Sequence, residues 1–403
     1  MMRLAPQLPD PRTIEEFIDL AGRSRWIRRL REIERSAAIG PRSGKAVLQR
    51  HGVEYTLERL RSIGDAVSPA ERRIGRLAAE AVTVASRLSG AGRTRLREEL
   101  AAALDGEATL IPLFHRLRCA VMQQARGFAV RFAGLEEGTG FDLLLVRGGV
   151  EAEMVCDVVS AEEGRRLQRG AWFRLADRID PDLQTWLDAH PGRYLLKMTL
   201  PDGLRDDDAA VDDGLLARLH ERIRILLAGT SRAAHDAAVV LRLDPLLLAG
   251  ARADELGMIG PLRREFGPDA HLAVVATGGG VFVVAARAGR ENEVAAAVRR
   301  RMATIAPARL SGTRPGILAM FVEDTDRAEW RGLRERLELE GEARQFLTDK
   351  AARAVVAVTC TSRLELFGLA EPDAVPDGEL RFRNPAHPAA RSAALAPAVL
   401  SSV

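Results

Sequence analysis

Residues 140–166 read Gly-Phe-Asp-Leu-Leu-Leu-Val-Arg-Gly-Gly-Val-Glu-Ala-Glu-Met-Val-Cys-Asp-Val-Val-Ser-Ala-Glu-Glu-Gly-Arg-Arg. They spell two apolar strands joined by the turn Gly148-Gly149, with carboxylates set into both. Asp142 interrupts the run Phe141–Leu145, where a strand core normally excludes charge. On the second strand Glu151, Glu153 and Asp157 follow at even spacing, so the two-residue period puts them on one face. Met154 and Cys156 alternate onto the apolar face. Acidic side chains on neighbouring strands supply oxygen ligands for a divalent cation. The competing reading makes the three the wet face of an amphipathic strand, with Asp142 in a hydrogen bond near a turn.

Upstream of this hairpin the pattern is helical. Ile14, Phe17, Ile18 and Ala21 recur at helical spacing after Thr13. Ser68-Pro69-Ala70-Glu71 has the form of a capping box with proline in the first turn, opening a helix that runs to about Ser89. Further helices are expected over 94–104 and 110–124. From Gly127 strands take over: 128–132, 141–146 and 152–159 form a meander. A helix is expected over 161–179 and a fourth strand over 194–200. The acidic run Asp206, Asp207, Asp208, Asp212 and Asp213 reads as a solvated loop. The second half continues in the mixed style, with strands near 237–243, 272–276, 281–286, 316–322 and 355–361. Helices are expected over 291–305 and 327–347. Three regions follow: an N-terminal helical region (1–109), an α/β domain (110–370), and a Pro- and Ala-rich tail (371–403) expected to fray.

Composition sets the outer limits. An apolar fraction of 47% supports a substantial core. No uncharged apolar run approaches about 20 residues, so no membrane span is expected. Three prolines among the first twelve residues argue against a secretory signal. Cys119, Cys156 and Cys360 are distant in sequence and set among apolar residues, which suggests buried thiols in a reducing, cytoplasmic setting. Lys45, Lys197 and Lys350 are the only lysines. The Arg, Ala and Gly richness fits GC-rich bacterial coding. A net charge of +3 does not by itself imply a nucleic-acid partner. The cluster Arg23, Arg25, Arg28, Arg29, Arg31 and Arg35 reads first as a solvated helix face and second as a phosphate-contacting one.

The order helix, strand, strand, strand, helix, strand from Leu110 to Leu200 resembles the core of the restriction-endonuclease-like fold, the PD-(D/E)xK superfamily. In that family an Asp on the second strand and a Glu-x-Lys on the third bind metal and orient the attacking water. Asp142 matches the first acid. Val155-Cys156-Asp157-Val158-Val159-Ser160, followed by Gly164-Arg165, has the outline of the third-strand motif. It places Val155 where Glu belongs and Asp157 where Lys belongs. A second register makes Glu153 the acid and leaves Val155 at the lysine position. Lys197, on the next expected strand, is then the relocated cation.

The resemblance implies an α/β fold with a mixed sheet of restriction-endonuclease-like type flanked by helices. It implies Mg or Mn held by Asp142, Glu153 and Asp157, with Lys197 stabilising transition-state charge, in a metal-dependent phosphodiesterase or nuclease. Arg165, Arg166 and Arg169 follow the carboxylate strands, where such folds grip nucleic-acid phosphates. The runner-up is a catalytically inactive scaffold of the same fold that docks a protein partner through the N-terminal helices.

Other motifs give way to simpler readings. Gly40-Pro41-Arg42-Ser43-Gly44-Lys45-Ala46 is one residue short of a phosphate loop and lacks its hydroxyl, so it reads as a linker. Gly278-Gly279-Gly280 reads as a hairpin turn. The histidines show no metal-ligand spacing, and His115 reads as a helix-face residue. Trp172, Trp186 and Trp330 read as packing residues.

Overall fold

The strand predicted around Glu153 forms, and a sheet grows outward on both sides of it. The structure, a computed structural model, describes residues 11–62, 68–205, 214–246, 262, 266–267 and 270–401. Helices come first: α1 (Pro11–Ala21), α2 (Arg23–Ala37), α3 (Pro41–Arg50), α4 (Gly52–Ser62), α5 (Pro69–Arg87), α6 (Gly90–Ala103) and α7 (Ile111–Ala125). Then follow β1 (Ala129–Arg131), α8 (Ala133–Glu137), β2 (Leu143–Arg147) and β3 (Val150–Ser160). The middle of the chain adds α9 (Arg169–Ala189), β4 (Gly192–Leu200), α10 (Leu215–Ala228), β5 (Ala233–His235), β6 (Val240–Pro245), β7 (His271–Thr277) and β8 (Gly280–Ala288). The last stretch holds α11 (Val294–Arg309), β9 (Gly316–Glu323), α12 (Arg327–Glu335), α13 (Glu338–Leu347) and β10 (Val355–Ser362). It ends with α14 (Arg363–Phe367), β11 (Leu380–Arg383) and α15 (Ala396–Val399).

The chain divides into two units. The first comprises Met1–Arg35, Leu48–Ala161 and Ala295–Val403. Its six-stranded sheet runs β1-β2-β3-β9-β10-β11. β2 is antiparallel to β1 and β3, β9 and β10 run parallel to β3, and β11 returns antiparallel. β9 and β10 are buried along almost their whole length, which is why they read as continuous apolar runs rather than alternating ones. One core joins α1, α5, α6 and α7 to Phe321 of β9 and Leu366 of α14. A second packs Cys119 and Ala120 of α7 with Leu143, Leu145, Ala152, Met154, Ile317 and Ala319, and closes against Leu395 and Val399. Full burial of a Leu or Phe side chain is worth about 1.5–3 kcal/mol. The capping box predicted at Ser68 and Glu71 is present.

The second unit comprises Ser36–Val47 and Glu162–Val294. Its sheet is ordered β5-β6-β4-β8-β7, with β4 parallel to β8 and the other pairs antiparallel. α9 and α10 bury Trp172, Leu175, Ile179, Leu219 and Ile223 against Leu196, Leu241, Phe282 and Val284.

Several expectations change. The fold is α/β with a helical N-terminal region and two mixed sheets; α1, α5 and α6 share a core with Phe321 of the first sheet, whereas residues 36–47 belong to the second unit. The α/β region expected over 110–370 is divided between the units, because 162–294 is inserted between β3 and α11. β4 therefore belongs to the second sheet, and β9 takes the place beside β3. The tail does not fray: β11 pairs with β10, and Leu395, Ala398 and Val399 are fully buried. The stretch read as a linker at Gly40–Ala46 leads into and forms part of α3. The helix expected over 327–347 breaks at Leu337, whose φ is +57°. The acidic run 206–208 and 212–213 lies outside the described residues. No described helix is long and apolar enough to cross a membrane.

Candidate functional site

β2 begins at Leu143, opposite Met154, so β3 from Val155 onward has no β2 partner on that side. The resulting notch is where Asp142 sits. Its backbone N–H donates to the Met154 carbonyl, 3.0 Å, holding the residue at the strand end. Its carboxylate accepts from the Cys156 backbone N–H (2.7 Å) and from Arg309 Nη2 (2.8 Å). Arg116 Nη1 approaches it at 3.4 Å. Asp142 thus stands in for a missing strand partner, which explains a charge inside an apolar run.

Asp157 accepts from Arg301 Nε (2.5 Å) and Nη2 (3.0 Å), and Arg309 Nη1 lies 3.8 Å away. Arg309 therefore spans both aspartates while donating to the Gly140 carbonyl at 2.8 Å. Glu153 is fully buried; it accepts from the Ser311 backbone N–H (2.8 Å) and hydroxyl (2.5 Å), with Arg314 at 3.4 Å. Its role in the structure is to anchor the loop that leads into β9. Glu151, which sequence spacing placed on the same face, pairs with Arg314 at the surface.

Asp142 and Asp157 line one cavity of about 550 Å³ together with Arg50, Arg116, Arg309 and Glu323. Glu153 is not among its lining residues. Burial and the neighbouring Asp324 push the Glu323 carboxyl up to about 7. Arg116 is buried, ion-paired to Glu99 as well as to Asp142.

The donor set does not fit the Mg or Mn that the resemblance implies. Both aspartates are engaged by guanidinium groups, and Glu153 faces the loop at Ser311. Asp142, Glu153 and Asp157 do not form a three-ligand group among the described residues. Lys197 lies in the second sheet, ion-paired to Asp244 at 3.1 Å and above the Phe266 ring. β9, the strand beside β3, carries no lysine. The arginines expected to grip phosphates already have protein partners. Arg165 is buried and pairs with Glu162. Arg166 pairs with Glu293 at 3.0 Å, and the Arg169 backbone N–H donates to Glu162 at 2.9 Å.

Sequence reading missed a different constellation. His115, Cys119 and Cys156 place their ligand atoms within 4.8 Å of one another, the one such group of three or more among the described residues. The distance in sequence between Cys119 and Cys156 had argued against a cluster. The available signal was His115 four residues before Cys119, which puts both on one face of α7. The hydrogen bond from Cys156, with His115 and Arg118 nearby, holds the Cys119 thiol well below its usual range, while burial pushes Cys156 up.

No family model, curated protein or solved structure matches this chain.

Proposed function

We propose that the first unit is a restriction-endonuclease-like core that no longer cleaves nucleic acid and works as a protein-binding scaffold. The element order α7, β1, β2, β3, α11, β9 fits the helix, three strands, helix, strand order of that fold once the insertion 162–294 and the short helix α8 between β1 and β2 are set aside. Asp142 at the head of β2 and the third-strand stretch 155–160 stand where the family keeps its carboxylates.

The observation that carries the loss of cleavage is Arg309. Its guanidinium lies between Asp142 and Asp157, where a bridging cation would have to bind. Arginine stays protonated and cannot act as the general base that a lysine supplies. The buried Arg165–Glu162 pair and the surface Arg166–Glu293 pair compete with phosphate for these guanidinium groups. On the N-terminal helices, exposed Ile27 and half-buried Leu30 lie over the buried Ile18 and Trp26 in a groove with a charged rim, an apolar centre with a polar surround of the kind a protein partner covers.

The test incubates the full chain with supercoiled and single-stranded DNA and RNA in Mg or Mn. Salt-dependent binding is measured in parallel. No cleavage and no salt-steep binding are expected, together with a discrete protein partner that Ile27→Glu releases. Metal-dependent cleavage lost in Asp142→Ala would overturn the proposal, and so would nucleic-acid binding that falls steeply with salt.

A further inference from the structure

We propose that His115, Cys119 and Cys156 form a binding site for a thiophilic divalent cation of the zinc class. Two elements build it. α7 presents His115 and Cys119 one turn apart on the same face, and β3 brings Cys156 to meet them. In a tetrahedral zinc site, bonds of about 2.3 Å to sulfur and 2.0–2.1 Å to nitrogen place neighbouring ligand atoms about 3.5–3.8 Å apart. Cys119 Sγ lies 3.7 Å from His115 Nδ1 and 3.8 Å from Nε2, and with one ring nitrogen taken for His115 the three ligand atoms fall within 4.8 Å of one another.

The imidazole is held in the tautomer a ligand needs. Its Nε2 lies 2.9 Å from the Ala319 carbonyl, and a carbonyl can only accept, so Nε2 carries the hydrogen and Nδ1 offers the lone pair. The Phe321 ring packs against it with centroids 5.4 Å apart. Donation of the second ring N–H to a backbone carbonyl is the usual support of a metal-bound histidine.

The chemistry of the donors selects the ion. Two thiolates and a neutral imidazole suit zinc and exclude magnesium, which demands oxygen ligands. Two thiolates also cancel the charge of a divalent ion, so the filled site buries no net charge. Binding takes Cys119 and Cys156 as thiolates and releases to solvent the protons they still carry, so uptake weakens as pH falls. His115 and Cys119 are buried, whereas Cys156 is half-buried and lines the cavity beside Asp142. That side gives the ion a way in and lets a water complete the tetrahedron. Cys360, on β10, is outside this group and serves as an internal control.

The experiment uses the full chain, reduced and stripped with a chelator, then titrated separately with zinc and cobalt. Uptake of one cobalt ion per chain with a thiolate-to-cobalt charge-transfer band is expected, displaced by zinc. The band should fall in Cys156→Ser, which removes one thiolate, and stay unchanged in Cys360→Ser. Zinc should also raise the denaturation midpoint of the wild-type chain. The wild-type cobalt spectrum reads the ligands even if a serine variant fails to fold. Cobalt uptake without a charge-transfer band would overturn the proposal. No metal uptake by the reduced chain, with a Cys119–Cys156 disulfide forming on oxidation, would overturn it equally and make the pair a redox couple.

Discussion

Arg309 shows how one side chain changes what a carboxylate pair can do. Its fork reaches Asp142 at 2.8 Å and Asp157 at 3.8 Å, so two charges that would repel in a bare notch are held by one guanidinium. Glu323, in the same cavity, has no such partner at hydrogen-bonding distance among the described arginines. It is crowded by Asp324 and Glu54, and Arg50 and Arg363 offset them only in part. Its carboxyl is raised from an ordinary 4.5 to about 7 in the folded chain. Between those values the native state binds more protons than the unfolded one, so stability is greatest at low pH and falls as pH rises through about 7. The loss is at most about 3 kcal/mol, reduced by whatever water reaches the half-buried group. Glu323→Gln, neutral at every pH, should flatten that fall and be the more stable form at pH 8. Urea midpoints at pH 5 and pH 8 read the difference; an unchanged slope in the variant would rule Glu323 out as its source.

At the scale of elements, the turn before β8 shows what local sequence can reveal. Gly278-Gly279-Gly280 does join two strands, β7 and β8, antiparallel as a hairpin requires. Gly280 has φ +147°, and a Cβ there would lie 1.9 Å from the Gly192 carbonyl oxygen, at the start of the parallel β4–β8 pairing. Gly280→Ala should cost at least about 3 kcal/mol, adding backbone strain to a clash that side-chain motion cannot relieve. Thermal unfolding of the variant checks this; a midpoint within a degree of wild type would refute it. Hairpins of this kind are legible because both strands and their turn are adjacent in sequence. The meander β1–β2–β3 was legible for the same reason, and so was Asp142, conspicuous as a charge within an apolar run. The parallel partner of β3 was not. β9 pairs with it from beyond an inserted unit, and nothing in the residues of β4 distinguishes a strand of one sheet from a strand of another. The same limit governs the site. Strand periodicity put Glu153 and Asp157 on one face, but the loop at Ser311 that captures Glu153 and the helix end that brings Arg309 are tertiary facts. The approach of Cys156 to Cys119 is another, and only the His115–Cys119 spacing on α7 hinted at it.

On the scale of the whole molecule, the insertion leaves two separately closed cores. The first sheet is buried by α1, α5, α6 and α7 on Phe114, Leu117 and Phe321, together with the layer around Leu145 and Ala319. The second is buried by α9 and α10 on Trp172, Leu196 and Phe282. Each holds enough fully buried aromatic and aliphatic side chains to fold cooperatively, and units with cores of their own commonly unfold in their own transitions. Calorimetry of the full chain should therefore resolve two transitions rather than one. Phe282 is fully buried, so Phe282→Ala removes its transfer energy and leaves a cavity, a loss of about 3–5 kcal/mol. That loss should fall on the transition of the second unit while the other stays within a degree or two of its wild-type midpoint. Hydrogen exchange on the variant offers an independent reading: faster exchange in β4 and β8, with β3 and β9 still protected. A single transition that moves as a whole would mean that the two cores behave as one cooperative block, and that the insertion is energetically part of the first unit's fold.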